Sequence, residues 1–323
     1  ARRFFGLHPW RPLSTVCPAT TAAAVTTFAT GASPREHGIT GWHVNLPDLG
    51  LVSTILPGVT RLGQPAFGPK FKLKSYLGLP SHLDSTRRRR LLLSYGEIPW
   101  SAYSRVGTRW GARWGYETLG GLERRLQQAL RVRPPALIYA YWPEYDSLCH
   151  EHGSAHPAAR RHLEALDALL ARLAERVAET RATVLITADH GLVDVAPEQR
   201  RDLADLPGLM NDLATAPAGD ARQVFLYVRP GRLAALRRRL RAELRELAVV
   251  LDGDWLTAQG VFGPGEPHPA WPQRIGDLVL LARDGCAFTY TPPGARQRFN
   301  VGNHGGYSRH ELEVPLYILS GQT

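Results

Sequence analysis

The chain has 323 residues, 44% of them apolar and 21% charged, a balance that excludes a disordered chain and allows a large buried core. It contains no run of about 18 apolar residues, so no segment reads as a membrane-spanning helix. The net charge is +10 and all but three of the 39 basic residues are arginine. They are scattered, with the densest runs at Arg87–Arg90 and at Arg237, Arg238, Arg239, Arg241 and Arg245. The expectation is a solvated helix face and no nucleic-acid partner.

In chain order, the opening ARRFFGLHPW lacks the apolar core of a signal peptide and is read as a point inside a longer chain. Residues 20–31 form a helix; Thr20 or Thr21 caps it, and Gly31, Ser33 and Pro34 stop it. Residues 43–118 are rich in Gly, Pro and Trp and read as an insertion of loops and short elements. ALIYAYW (136–142) is a buried strand, residues 160–180 a helix with leucines at helical spacing, and ATVLITA (182–188) another buried strand. That order implies a parallel strand pair with a right-handed crossover. QVFLYVR (223–229) is a strand followed by an arginine-faced helix. DLVLLA and CAFTY (277–290) read as a hairpin turning at Arg283–Gly285, and VPLYIL (314–319) as a last buried strand. The fold class is α/β: a central, mostly parallel sheet flanked by helices, with a smaller cap drawn from 43–118 and roughly 196–275. Cys17, Cys149 and Cys286 are odd in number and far apart, which fits no disulfide framework and favours a reducing, cytoplasmic compartment.

Three stretches beside predicted strands carry the chemistry. WPEYDSLCHEHG (142–153) follows the first strand, ADHGL (188–192) the second, and GNHGGYSRHELEVP (302–315) precedes the last. Ligands in open α/β sheets bind beyond the carboxyl ends of strands. Asp146 and His150 are four apart, Asp189 and His190 are adjacent, and His304 stands alone. Carboxylate plus imidazole suits a divalent cation of zinc type. Five candidates make up most of two sites, and paired cations can clamp a phosphoryl group. Cys149 reads as a small buried residue, His37 as structural, and His8, His43, His82, His156, His162 and His268 belong to no constellation.

The stretches PATTAAAVTTFATGASPREHGITG, EYDSLCHEHG, TADHGL and NHGGYSRHELEVPLYI resemble the type I phosphodiesterase / nucleotide pyrophosphatase family of the alkaline phosphatase superfamily. The resemblance runs from about residue 14 to 320 and implies an alkaline phosphatase-like fold. It implies a hydrolase of phosphodiester or pyrophosphate bonds with two zinc-type cations and a small phosphorylated substrate. The nucleophile it implies is Thr21, three residues after Pro18 and nine before Thr30, with Thr20 as competitor. Asp146, His150 and His304 would hold one cation; Asp189, His190 and the Thr21 oxygen the other. A threonine hydroxyl needs such activation, and a helix start favours a phosphate. A phospho-threonine intermediate would form and be hydrolysed.

The sequence departs from that pattern in places. No acidic residue precedes Glu36, so the family's metal-binding aspartate and its first strand are missing, which fits an N-terminally truncated chain. Trp42 stands where the family has a phosphate-binding asparagine; Asn45 is the nearby candidate. Tyr145 and Cys149 replace a proline and a glycine. A sulfatase is excluded because Cys17-Pro18-Ala19-Thr20 lacks the required arginine. A phosphomonoesterase of the same superfamily and a non-catalytic relative are the alternatives.

Overall fold

The structure, a computed structural model, describes residues 3–68, 72–79, 87–107, 110–133 and 136–322. His82 lies outside them. TAAAVTTFAT forms the helix Thr21–Thr30, entered from extended backbone at Thr20 and ended by Gly31 at φ 72°. Gly31 has no Cβ to clash there, and its N–H closes on the Thr27 carbonyl. Ala22, Ala23, Ala24, Thr26 and Thr30 are all buried. The helix is thus packed on most of its surface, and small side chains let neighbours come close. Two of its buried hydroxyls are satisfied internally: Thr26 donates to the Ala22 carbonyl and Thr30 to the Thr26 carbonyl.

The strands fall into three main groups. A seven-stranded antiparallel sheet runs in the order Ala248–Asp252, Leu278–Ala282, Gln223–Leu226, Ala218–Asp220, His43–Leu46, Leu51–Thr54, Val59–Thr60. Arg89–Tyr95 pairs in parallel with Ala112–Tyr116 on one side and Ala136–Tyr141 on the other. Glu313–Ser320 pairs antiparallel with Trp10–Ser14 and with Thr183–Ile186. The protein is α/β as expected, with parallel and antiparallel strands flanked by helices, but the expected parallel majority is not found, since every pairing in the seven-stranded sheet is antiparallel, and the strand Trp10–Ser14 precedes the Thr21 helix where none was expected.

Two expected pairings are replaced. Ala136–Tyr141 and Thr183–Ile186 both form, but they belong to different sheets. A strand–helix–strand order favours a hand of crossover and does not fix adjacency. The expected hairpin is absent because Leu278–Ala282 has both edges occupied, by Gln223–Leu226 and Ala248–Asp252. Ala287–Thr289 instead pairs in parallel with Arg200–Asp202. The 43–118 stretch divides: its first three strands join the seven-stranded sheet, its last two the parallel one.

The two three-stranded sheets share an apolar core with the helices Leu119–Leu130 and Pro157–Ala178, including Leu91, Leu93, Leu122, Leu169 and Tyr317. Behind the seven-stranded sheet, the helix Leu233–Glu243 buries Leu236 and Leu240. Its arginines face acids, Arg237 on Asp252 at 2.7 Å and Arg239 on Asp212 at 3.3 Å. Among the described residues no helix is long and apolar enough to cross a membrane.

The segment 302–312 is joined to the seven-stranded sheet by a buried ion pair. Arg222 and Glu311 are 1% and 0% exposed, and Nε–Oε1 and Nη2–Oε2 contacts of 2.9 and 3.0 Å make a two-pronged bridge. Burial alone would raise the Glu311 carboxyl, but the hydrogen bonds and charge of Arg222 hold it below its ordinary value. Glu311→Ala should cost about 3–5 kcal/mol, because it leaves a buried guanidinium unpaired. A carboxyl depressed on folding contributes stability that is present in full above its unfolded pKa and lost as pH falls through the folded one. Urea midpoints followed from about pH 7 to about pH 3 should therefore fall more steeply for the wild type than for Glu311→Gln. Equal slopes would remove the pair from the acid response.

Candidate active site

The five candidate ligands are carried by three junctions of strand with helix or loop. Asp146 and His150 lie in the helix Glu144–His152, just after the strand Ala136–Tyr141. Four residues apart on one helix face, they meet at 3.1 Å between Oδ2 and Nε2. The other ring nitrogen of His150 donates to the Gly302 carbonyl at 2.8 Å. Asp189 and His190 follow the strand Thr183–Ile186. His190 Nδ1 donates to the Gly191 carbonyl at 2.9 Å, which leaves Nε2 as the acceptor facing Thr21 Oγ1, also at 2.9 Å. Asp189 Oδ2 lies 3.6 Å from the same Nε2 and accepts from the Tyr141 hydroxyl at 3.5 Å. Gly191 has a steric reason to be glycine. A Cβ there would lie 2.0 Å from the His310 carbonyl oxygen, and its N–H donates to the Glu311 carbonyl at 2.8 Å.

His304 completes the group. Its ring stacks on His190 with centroids 3.8 Å apart and lies 5.0 Å from that of His150. Ligand atoms of Asp146, His190 and His304 all lie within 4.8 Å of one another. His190 and His304 are 7% and 4% exposed. Asp146 Oδ1 and His304 Nδ1 are buried without a hydrogen-bond partner. A buried oxygen donor left free beside two imidazoles suits a divalent cation.

The electrostatics point the same way. Burial would raise Asp146, yet the His150 hydrogen bond and the nearby imidazoles bring it down to about 2. Burial would lower His150, but Asp146 lifts it to about 9, so in the metal-free cluster a proton on His150 balances the carboxylate. A cation entering the cluster would displace that proton. Burial, then His190, holds His304 well below the ordinary imidazole value, in the neutral form a cation needs.

The two threonines part here. The Thr21 hydroxyl faces His190, whereas the Thr20 hydroxyl donates to Asp220 Oδ2. Burial raises Asp220, against the Thr20 hydroxyl and the Ala221 N–H. Asp220 carries no signal in the sequence, because it enters only through the pairing of its strand. Tyr141 and Thr15, whose hydroxyls reach the Asp189 side chain and carbonyl, are likewise invisible there. Asn45 lies buried in the strand His43–Leu46, and its amide donates to the Gln273 carbonyl at 3.2 Å. Trp42 is half-buried. Cys149 is buried, and burial pushes its thiol up to about 11, far from a metal-binding thiolate. His37 is buried and pushed down to about 3 by desolvation, with its ring beside the Thr27 hydroxyl, a structural position. All three cysteines are free.

A family profile described as type I phosphodiesterase / nucleotide pyrophosphatase matches residues 6–56 and 72–307. Among solved structures, murine ectonucleotide pyrophosphatase / phosphodiesterase 5 superposes with a TM-score of 0.65 at 14% identity, covering 96% of this chain and 79% of its own. An inactive variant of that protein was solved with AMP. Phosphonoacetate hydrolase from Sinorhizobium meliloti 1021, in complex with phosphonoformate, superposes with a TM-score of 0.66 at 18% identity, covering 98% and 82%. Likeness at these identities establishes the fold. No curated protein sequence gives a significant match.

Zinc added to metal-free protein should raise the urea midpoint, with a gain of about 2.7 kcal/mol at a hundredfold excess over the dissociation constant. His304→Ala should lose most of that gain. An undiminished shift in the variant would take His304 out of the ligand set.

Proposed function

The chain belongs to the type I phosphodiesterase / nucleotide pyrophosphatase family, and from that premise we propose that it hydrolyses phosphodiester or pyrophosphate bonds in a small phosphorylated substrate, with Thr21 as nucleophile and two divalent cations of zinc type as cofactors. One observation carries the reading. The Thr21 hydroxyl stands at the start of a helix, 2.9 Å from His190 Nε2, next to the cluster of Asp146, His190 and His304. Asp146, His150 and His304 would hold one cation, and Asp189 and His190 with the Thr21 oxygen the other. When bound, such cations lower the pKa of a hydroxyl and offset charge on phosphoryl oxygens.

The chain's own groups do the rest. The first-turn amides of the helix have no acceptor within it, and its positive end favours a phosphoryl anion. Thr20–Ala24 carry no charge to repel one. Thr21 Oγ1 attacks phosphorus as the leaving oxygen departs on the opposite side and takes up the proton that Thr21 gives up, giving a phospho-threonine. Water then cleaves that bond and the threonine regains its proton. Specificity is assigned to the end of the seven-stranded sheet formed by residues 43–60 and 218–220, which reaches the site through Asp220 and includes Trp42 at its border.

Bis-p-nitrophenyl phosphate should be turned over faster than p-nitrophenyl phosphate; the reverse order would make the protein a phosphomonoesterase. Thr21→Ala should lower kcat by on the order of 10³ or more while the cation of Asp146, His150 and His304 is retained. Wild-type turnover in that variant would refute the nucleophile, and no turnover by the metal-loaded wild type would identify a non-catalytic relative.

A further inference from the structure

One nitrogen of the cluster has no partner. His304 Nδ1 is buried and makes no hydrogen bond. Two acceptors face the ring. One is the Ala19 carbonyl, a neutral acceptor that also takes the Gly305 N–H at 2.9 Å. The other is the Asp220 carboxylate, whose Oδ2 lies 3.8 Å from Nδ1, just beyond hydrogen-bond range.

Asp220 is held for this position. It ends the strand Ala218–Asp220, and its side chain is 13% exposed. The Thr20 hydroxyl donates to Oδ2 and the Ala221 N–H to Oδ1, the latter at 2.8 Å. The residue after His304 is packed directly on it. A Cβ on Gly305 would lie 2.7 Å from Asp220 Cβ, so His304 and Asp220 are fixed against each other through the backbone. A carboxylate oxygen has room for two donors, and Oδ2 has one.

Imidazoles that bind a cation through one nitrogen donate the other N–H to a carboxylate, a carbonyl or water, which fixes the ring and its tautomer. We infer that Asp220 is a positioning residue of the cluster: a small turn of the ring brings Nδ1–H of His304 onto Asp220 Oδ2 and leaves Nε2 for the cation. The same carboxylate oxygen joins His304 to Thr20, the neighbour of the proposed nucleophile. The ligand loop and the start of the Thr21 helix are thereby set relative to each other. This rests on the metal-binding reading of the cluster.

The test is zinc affinity by competition with a chromogenic chelator, for the wild type, Asp220→Asn, Asp220→Ala, His304→Ala and Asp220→Asn/His304→Ala. Thermal melting of each metal-free protein controls for folding. Asp220→Ala should weaken zinc by about 10- to 100-fold. Asp220→Asn, whose amide oxygen still accepts, should lose less. The double variant should be no weaker than His304→Ala, because the aspartate acts through that ring. In zinc-loaded wild type, the Nδ1 proton of His304 should be slow to exchange in histidine-resolved NMR spectra and should disappear in Asp220→Ala. A purely structural role would move melting and leave that signal in place.

Wild-type affinity in both Asp220 variants would overturn the inference alone, provided His304→Ala binds weakly. Full additivity in the double variant would overturn it as well. Wild-type affinity in His304→Ala would bring down the reading of the cluster, and the inference with it. If Asp220→Ala does not fold, Asp220→Asn and the double variant give the same decision.

Discussion

The buried pair of Arg222 and Glu311 is the constraint on which the site depends. The segment 302–312 has glycine at three of its first five positions and little apolar surface to bury. It is held instead by one carboxylate. Glu311 accepts from Arg222, from the Gly306 N–H and from the N–H and hydroxyl of Ser308. Arg222 in turn donates to the Arg283 and Cys286 carbonyls, so the guanidinium is anchored at the turn after the strand Leu278–Ala282. A buried ion pair is a poor source of stability compared with apolar packing, but it is strict about geometry. Here that strictness is spent on the backbone that carries His304.

Two residues before Arg222 stands Asp220, and the arrangement around it follows. The strand end that supplies the anchor of the loop also supplies a carboxylate facing the loop's imidazole. It receives the hydroxyl of Thr20, at the entry of the Thr21–Thr30 helix. Three parts distant in the sequence therefore meet around one carboxylate. The helix can sit among them only because its buried side chains are small, and Thr26 and Thr30 return their hydroxyls to its own carbonyls.

The cluster itself is under-satisfied in a directed way. Asp146, His150, His190 and His304 are packed with ring centroids as close as 3.8 Å, yet an oxygen of Asp146 and a nitrogen of His304 find no partner. Low local dielectric makes such omissions costly. His150 lies 3.1 Å from Asp146 and is favoured in its charged form by that carboxylate, and a divalent cation would in addition use the free oxygen of Asp146.

Much of this was legible in the sequence. The TAAAVTTFAT helix, the Asp146–His150 spacing on one helix face, Asp189–His190 after a β-rich run and the lone His304 are local patterns. Their physics is contained in a few consecutive residues, and together they identify the family. Which strands lie side by side is not local. The sequence reads 277–290 as a hairpin, but both edges of Leu278–Ala282 are filled by strands from elsewhere. Asp220 and Arg222 look like ordinary surface charges around the start of a strand, and only their burial against segment 302–312 gives them roles. A count of positions favours Thr21, with Thr20, a like hydroxyl at the same helix start, as its competitor. Tertiary structure gives the two hydroxyls different partners, Asp220 for Thr20 and His190 for Thr21. Residue type and spacing determine which chemistry is available; long-range pairing, which no periodicity encodes, decides which atoms meet.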